Sequence, residues 1–173
     1  APGMIGAAVL AGRAAAYLGA GRVLIGLLDP AVLPVDILRP ELMFRRAPEL
    51  LAETGIGAFA VGPGLGQSDT AMALVGTAIG KAQPLVLDAD ALNLVAREPV
   101  LQNALAARQS PTLLTPHPAE AARLLACTTS DIQADRVAAA CRLATRFKAW
   151  VVLKGCGSIV AGPDGQWWIN TSG

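Results

Sequence analysis

Short apolar runs that alternate with helical segments constrain the fold of this chain more than any other feature. The runs are nearly continuous and are bounded by glycine, proline or aspartate: Val23–Leu28, Ile56–Val61, Pro84–Leu87, Thr112–Leu114 and Trp150–Leu153. Strands of this kind, separated by helices, are typical of a parallel sheet that is buried on both faces. We therefore predict an α/β fold, with a mostly parallel sheet covered by helices on both faces.

The predicted helices lie between these strands. They cover Met4–Leu18, Pro48–Thr54, Ser68–Lys81, Ala91–Val95, Val100–Ala107, Ala119–Leu125 and Asp131–Phe147, with Ser68 and Ser130 as N-caps. An irregular stretch through Pro30, Pro34 and Pro40 precedes the second helix. We therefore predict one domain over residues 1–173, with no internal domain boundary.

A β-hairpin is predicted near the C-terminus. Its strands are Ser158–Ala161 and Gln166–Ile169, joined by a turn at Pro163-Asp164-Gly165. Trp167 and Trp168 are neighbours on the second strand and must face opposite sides of the sheet. We expect one of them to be in the core.

Composition excludes several classes of function. Hydrophobic residues make up 53% of the chain, charged residues only 16%, and the net charge is +1, so a basic nucleic-acid surface is not expected. Met4–Leu28 is apolar enough to imitate a membrane span, but Arg13 and Arg22 interrupt it. We interpret it as a helix followed by a buried strand and predict no membrane segment.

The cysteines indicate a reducing compartment. Cys127, Cys141 and Cys156 are scattered, odd in number and without the spacing of a zinc site. We therefore expect free thiols and a cytoplasmic protein.

A glycine-rich turn follows the strand Ile56–Val61. The sequence G-P-G-L-G over Gly62–Gly66, here named the first glycine loop, leads into the helix that begins at Ser68. Glycines permit positive φ and let the backbone approach a ligand, and a helix N-terminus attracts anions. The loop is either an anion or nucleotide site or merely a tight turn, and its spacing alone does not decide between them.

Polar residues follow the other predicted strands, and parallel strands bring their carboxyl ends to one edge. Asp88 and Asp90 come after the third strand. A carboxylate there can hold magnesium through water, orient a hydroxyl or act as a base. For Asp90 we favour a simpler role as the cap of the next helix, through the amides near Leu92 and Asn93. For Asp88 the functional and structural roles remain open.

His117 is the only histidine and lies between two prolines at the end of the next strand. Its position at the shared edge makes a ligand contact as plausible as a structural role. Glu120 follows in the first turn of a helix, where it either stabilises the N-terminus, which is the role we favour, or binds a ligand.

A second glycine loop, Lys154-Gly155-Cys156-Gly157-Ser158, follows the last buried strand. Its small residues let backbone amides approach a phosphate or ribose, and Lys154 adds a positive charge. An ordinary β-turn is the alternative. The order of residues is not that of a Walker loop.

Taken together, these motifs resemble the ADP/ATP-dependent NAD(P)H-hydrate dehydratases of the ribokinase-like superfamily. The resemblance runs from end to end and rests on the motifs at Pro2–Ala11, Gly19–Gly21, Arg39–Met43, Gly62–Gly66, Leu87–Asn93, Leu114–Glu120 and Leu153–Ser158. It implies a ribokinase-like fold and the repair of hydrated nicotinamide cofactors. In that reaction ADP or ATP phosphorylates the hydroxyl of the damaged ring, and loss of phosphate restores NADH or NADPH.

The resemblance also assigns roles to residues. The hydrated NADH or NADPH is expected at Ala8, Gly64, Gly66 and His117, and the nucleotide at Lys154, Gly155, Cys156, Gly157 and Ser158. Asp88, Asn93 and Glu120 are expected as supporting residues. Mg²⁺ is implied with the nucleotide, but no metal-ligating set is predicted in the chain itself. A homo-oligomer, with a tetramer as one form, is implied as well.

The family pattern extends beyond both ends of this sequence. It has a strand before the segment that matches Ala1 and a G-x-G-D loop after the segment that matches Gly173, with the aspartate expected as base. From this departure we expect the domain to be incomplete at both ends, without a catalytic residue of its own, and inactive as it stands.

Two other functions remain open at this point. One is a different ribokinase-like kinase that acts on a vitamin precursor or a sugar. The other is a non-catalytic nucleotide-binding module. The motifs at Arg39–Met43 and Leu114–Glu120 favour the dehydratase.

Overall fold

The computed structural model describes residues 3–28 and 35–172. Its helices are α1 (Ile5–Tyr17), α2 (Ala47–Ala52), α3 (Asp69–Ile79), α4 (Asp90–Arg97), α5 (Pro99–Ala107), α6 (Pro118–Leu125), α7 (Thr129–Ala134) and α8 (Arg136–Phe147). Its strands are β1 (Leu24–Leu27), β2 (Met43–Arg46), β3 (Phe59–Val61), β4 (Leu85–Leu87), β5 (Thr112–Leu114), β6 (Trp150–Leu153), β7 (Ser158–Ala161) and β8 (Trp167–Asn170).

The strands form two sheets. β3, β4, β5 and β6 are parallel neighbours in chain order, and β7 and β8 continue the same sheet in antiparallel pairing. β1 and β2 form a separate parallel pair. The predicted α/β class, the mostly parallel sheet and the C-terminal hairpin are confirmed.

One face of the six-stranded sheet is buried more deeply than the other. From β3 to β6 the chain always crosses to the next strand in the same direction, and right-handed crossovers then place α3–α8 on one face. Residues such as Leu85 and Leu87 on that face are almost fully buried, whereas Ala60 and Val86 on the other are exposed or part-buried.

Helices lie on both sides of β1, as predicted. Ile25 faces α1, where a Cβ on Gly12 would come within 2.6 Å of its side chain. Gly26 faces α2, where its own Cβ would lie 3.1 Å from the Cα of Ala47. Because neither glycine has a side chain, α1 and α2 can each pack directly against β1.

The apolar segment Met4–Leu28 is α1 followed by β1, which confirms our interpretation of it. In residues 3–28 and 35–172 no helix combines the length and the apolarity needed to cross a membrane.

The helix predicted over Asp131–Phe147 is wrong, because the chain breaks at Asp135 into α7 and α8. Asp135 accepts a hydrogen bond from the Ala138 amide and so begins α8. The predicted cap Ser130 is also wrong, because Thr128 caps α7 in a reciprocal pair with Asp131. An aspartate that can cap a new helix competes with continuation of the old one.

Two further differences concern β2 and the tryptophans. β2 was not predicted: its sequence Met-Phe-Arg-Arg has no buried face, and it exists because β1 pairs with it over a long sequence separation. Pro30 and Pro34 of the predicted irregular stretch lie outside the described residues. The expectation that Trp167 or Trp168 is a core residue is wrong, since the two are 47% and 48% exposed.

Candidate functional site

The polar clusters meet at one edge of the sheet. β3, β4, β5 and β6 end at Val61, Leu87, Leu114 and Leu153, and because they are parallel the segments that follow them share the carboxyl edge. At about 4.8 Å per strand spacing, the first and second glycine loops begin about 14 Å apart, with β4 and β5 between them.

The first glycine loop is built so that only glycine fits at two positions. Gly62 has φ +132°, and a Cβ there would lie 1.7 Å from the backbone oxygen of Asp88. Gly64 has φ +67°, and its Cβ would lie 2.2 Å from the oxygen of Met4. The loop therefore lies against both the end of β4 and the start of α1.

A cavity of about 570 Å³ brings Ala8 and Gly64 together. It lies between β1 and β3, and apolar side chains of both strands line most of it. Ala8 contributes from α1 and Gly64 from the first glycine loop, so these two predicted ligand residues share one wall. Gly66 lies outside this lining.

Asp90 does not cap α4, and that prediction is wrong. Its Oδ2 accepts a hydrogen bond from the amide of Gly66 at 2.8 Å. The N-cap of α4 is Ala89, whose φ is +48° and whose side chain makes no capping bond. Asp90 therefore anchors the far end of the first glycine loop, which its local sequence does not reveal.

Asp88 is paired with Lys154 across the intervening β5. Oδ1 of Asp88 lies 2.6 Å from Nζ of Lys154, with the two side chains 28% and 41% exposed. The pair joins the segment after β4 to the second glycine loop. Lys154, which the resemblance assigns to the nucleotide, thus pairs with a carboxylate in the structure.

The second glycine loop connects β6 to the antiparallel β7. Gly155 and Gly157 have φ +149° and +66°, and the Ser158 hydroxyl donates to the oxygen of Gly155 at 3.2 Å. The amide of Lys154 donates a hydrogen bond to the carbonyl oxygen of Pro116 at 2.9 Å. This bond places the second glycine loop beside the segment that carries His117.

His117 caps α6 and pairs with Glu120. Its Nδ1 accepts from the Ala119 amide at 3.1 Å and faces the Glu120 amide at 3.4 Å, while the Glu120 carboxylate accepts from the His117 amide at 2.8 Å. The predicted stabilising role of Glu120 is confirmed by this reciprocal cap. The histidine ring remains 48% exposed at the carboxyl edge.

Asn93 is directed to a helix contact. Its Oδ1 accepts a hydrogen bond from Nη1 of Arg123 at 2.9 Å, which ties α4 to α6. Sequence reasoning also missed Arg136, whose guanidinium contacts three carbonyl oxygens in and beside the second glycine loop. Nothing near Arg136 in the sequence indicates this, because its partners are 17 to 20 residues away.

The structure therefore assembles both glycine loops, Asp88, His117 and Glu120 along one edge, with Ala8 beside the first loop. In the part of the chain that the structure describes, no three His, Cys, Asp or Glu side chains are placed to hold a metal ion.

The sequence model of the NAD(P)H-hydrate dehydratases matches residues 2–173. The chain belongs to the NAD(P)H-hydrate dehydratase family.

Sequence relatives agree. The chain is 45% identical to the ADP-dependent (S)-NAD(P)H-hydrate dehydratase of Neisseria meningitidis serogroup B, over 99% of this chain and 58% of that protein. The chain thus spans less than two thirds of the length of this dehydratase.

Solved structures of this dehydratase family have the same fold. An ADP/ATP-dependent NAD(P)H-hydrate dehydratase of Bacillus subtilis, co-crystallised with ATP/Mg²⁺ and soaked with CoA, superimposes with a TM-score of 0.80 at 31% identity, over 100% of this chain and 63% of that one. A ribokinase-like superfamily protein of Enterococcus faecalis, at 22% identity, has a TM-score of 0.79 over 99% of this chain and 60% of that one. The latter shows the shared ribokinase-like fold alone.

Proposed function

We propose that this chain forms the substrate-binding part of an ADP- or ATP-dependent NAD(P)H-hydrate dehydratase, which repairs hydrated NADH or NADPH. The observation that carries the proposal is the pair of glycine loops about 14 Å apart on one sheet edge, joined through Asp88 and Lys154. Two glycine loops at one sheet edge suit two phosphate-bearing substrates bound side by side. Family membership supports the same activity.

The proposed reaction has two steps. The hydroxyl oxygen of the hydrated ring attacks the terminal phosphorus of the nucleotide and releases its proton to solvent. The P–O bond to the nucleotide breaks, so the nucleotide loses one phosphate and the ring carries a phosphate ester. The ester C–O bond then breaks, phosphate leaves with the bonding electrons, and the ring loses a proton as its double bond re-forms. The products are NADH or NADPH, inorganic phosphate and AMP or ADP.

Within this proposal the first glycine loop and Ala8 hold the hydrated dinucleotide. Gly64 and Gly66 present backbone to its bulk, and the exposed ring of His117 contacts it from the end of β5. Binding of this kind positions the hydroxyl for phosphoryl transfer.

The second glycine loop, Lys154–Ser158, holds the nucleotide in the same proposal. Lys154 supplies a positive charge to a phosphate when it exchanges Asp88 for the ligand. Gly155 and Gly157 leave room for the nucleotide to approach the backbone.

We propose that Mg²⁺ binds together with the nucleotide and not at a site formed by protein side chains alone. Asp88 and Asp90 already bind Lys154 and the Gly66 amide, and the described residues offer no set of three ligands. We therefore propose that phosphate oxygens supply the main ligands of Mg²⁺.

We also propose a cytoplasmic homo-oligomer. The free, scattered cysteines agree with a reducing compartment. Trp150 and Trp168 stack at 6.0 Å between ring centroids on the less buried face of the sheet, where both are more than 40% exposed. Light scattering of the purified complete protein measures the subunit number, and a monomer at micromolar concentration would contradict this part of the proposal.

The activity is tested with the complete encoded protein. Hydrated NADH or NADPH is incubated with ADP or ATP and Mg²⁺, and the return of reduced-nicotinamide absorbance is followed. We expect recovery that requires the nucleotide and releases one phosphate for each cofactor restored. Nucleotide consumption with a sugar or vitamin precursor but not with the hydrate would favour the kinase, and nucleotide binding without turnover of any of these would favour the binding module.

A further inference from the structure

Arg136 lies beneath the second glycine loop and binds its carbonyl oxygens. It is the first residue of α8, and its Nη1 donates to the oxygen of Cys156 at 2.7 Å. Its Nη2 faces the oxygens of Leu153 and Lys154, both at 3.3 Å. Nε is buried and has no hydrogen-bond partner within residues 3–28 and 35–172.

These contacts fix the direction of the loop amides. In a trans peptide the C=O and N–H point to opposite sides, and no peptide in the described ranges is cis. When the oxygens of Lys154 and Cys156 face Arg136, the N–H groups of Gly155 and Gly157 must face away from it. Neither amide has a hydrogen-bond partner among the residues that the structure describes.

The glycines complete the arrangement. A Cβ on Gly155 would lie 2.6 Å from Nη2 of Arg136, so the guanidinium occupies the space that a side chain would need. Two backbone amides that point to the same side of a loop can both donate to one anion. Lys154, the first residue of the loop, adds a positive charge beside them.

We infer that Arg136 is a positioning residue for the second glycine loop: by binding the loop carbonyls on one side, it presents the Gly155 and Gly157 amides to a nucleotide phosphate on the other. Arg136 itself does not touch the ligand. The inference rests on the proposed function in so far as the anion is the phosphate of ADP or ATP.

The test compares three variants of the complete protein. Arg136→Met keeps a long side chain but removes every donor, and Arg136→Lys keeps the charge but replaces the planar, rigid fork of donors with a compact ammonium group. Arg142→Met is the matched control, because Arg142 is exposed on the same helix. The affinity for ADP and for ATP is measured by calorimetry.

The thiol of Cys156 gives a second readout that does not depend on turnover. Cys156 is exposed in the loop, whereas Cys127 and Cys141 are part-buried. Its rate of alkylation by iodoacetamide, followed by mass spectrometry of its peptide, reports how ordered the loop is. Protection by ADP reports occupancy of the loop.

We expect Arg136→Met to weaken nucleotide binding about tenfold to one-hundredfold, the range seen when supporting residues of a site are lost. The KM for the hydrated cofactor stays unchanged, alkylation of Cys156 accelerates, and Arg136→Lys restores little.

The outcomes separate the two hypotheses. If Arg136→Met matches the wild type and Arg142→Met in both nucleotide affinity and Cys156 alkylation, the positioning role is wrong. If the wild type binds neither ADP nor ATP, the proposed function fails. The alkylation rates then still decide whether Arg136 holds the loop.

Discussion

His117 combines a structural role with a proposed ligand contact, and the two can be separated by the choice of substitution. Its Nδ1 caps α6, its Nε2 lies 3.3 Å from Oε1 of Glu120, and the side chain is 48% exposed at the carboxyl edge. Asparagine is a good N-cap, whereas alanine is not.

We predict that His117→Asn and His117→Ala both raise the KM for the hydrated cofactor about tenfold, the value of one lost hydrogen bond. Only His117→Ala should also lower the free energy of unfolding, by about 1 kcal/mol. Steady-state kinetics and urea denaturation of both variants check this. An unchanged KM in His117→Asn would show that His117 caps α6 but does not contact the hydrated cofactor.

The ion pair of Arg13 and Asp36 makes stability depend on pH. Nε and Nη2 of Arg13 contact the two carboxylate oxygens of Asp36 at 2.7 and 2.8 Å. Hydrogen bonds from Arg13 hold the pKa of Asp36 below its ordinary value of 3.8. Because the folded-state pKa is the lower one, the stabilisation is present above the unfolded-state pKa and is lost as pH falls through the folded-state pKa.

We therefore predict that Asp36→Asn lowers the free energy of unfolding at pH 7, and that its deficit relative to wild type shrinks as the pH falls below 3.8. Denaturation curves at a series of pH values give the comparison. Glu49→Gln, which alters an exposed contact of 3.9 Å, serves as the control. A deficit that stays constant down to the lowest pH would contradict the assignment.

At the scale of elements, the first glycine loop has no room for a side chain at Gly62. We predict that Gly62→Ala destabilises the fold by about 4 kcal/mol or more, because the new Cβ would strike the Asp88 carbonyl oxygen at 1.7 Å and φ is +132°. Gly57→Ala is the matched control, since no atom lies within 4 Å of its Cβ position. Melting temperature and soluble yield measure the difference, and similar values for the two variants would show that the loop can relax.

Elements governed by local sequence could be predicted, and contacts between distant residues could not. The Ser68 cap of α3 was predicted correctly because donor and acceptor are three residues apart. Asp90 has the same kind of position, yet its carboxylate binds the Gly66 amide 24 residues away. The local sequence favours a helix cap at Asp90. In the folded chain its carboxylate instead accepts a hydrogen bond from the Gly66 amide.

The same distinction holds for the candidate site. The shared carboxyl edge follows from parallel strand order, so the two glycine loops, Asp88 and His117 could be placed there from sequence. The pairing of Asp88 with Lys154 and the carbonyl contacts of Arg136 depend on side-chain reach across strands. No pattern in the sequence encodes that reach.

At the scale of the whole molecule, Arg108 joins several elements at the sheet edge opposite the candidate site. Arg108 lies at the amino edge, before β5. It donates to the Thr112 hydroxyl and to the carbonyl oxygens of Ile79, Lys81 and Gln83. Burial lowers the pKa of this guanidinium, and its bonds tie the end of α3 to the start of two strands.

We predict that Arg108→Met lowers the free energy of unfolding by about 3 kcal/mol, because it leaves several carbonyl oxygens without their donor. The rise in melting temperature produced by saturating ADP should remain close to the wild-type value, since the nucleotide is proposed to bind at the other edge. Differential scanning fluorimetry with and without ADP measures both effects. Loss of the ADP-dependent rise would show that the two edges are coupled.

The ion pair between Lys154 and Asp88 also bears on how fast a nucleotide arrives. With the lysine charge balanced by a carboxylate at 2.6 Å, the loop projects little net field beyond a Debye length. Association should then be slow for so highly charged a ligand and only weakly sensitive to salt, because long-range attraction is small. Asp88 would then limit the rate at which the nucleotide associates. We expect Asp88→Asn to raise both the association rate constant of the nucleotide and the salt dependence of that constant.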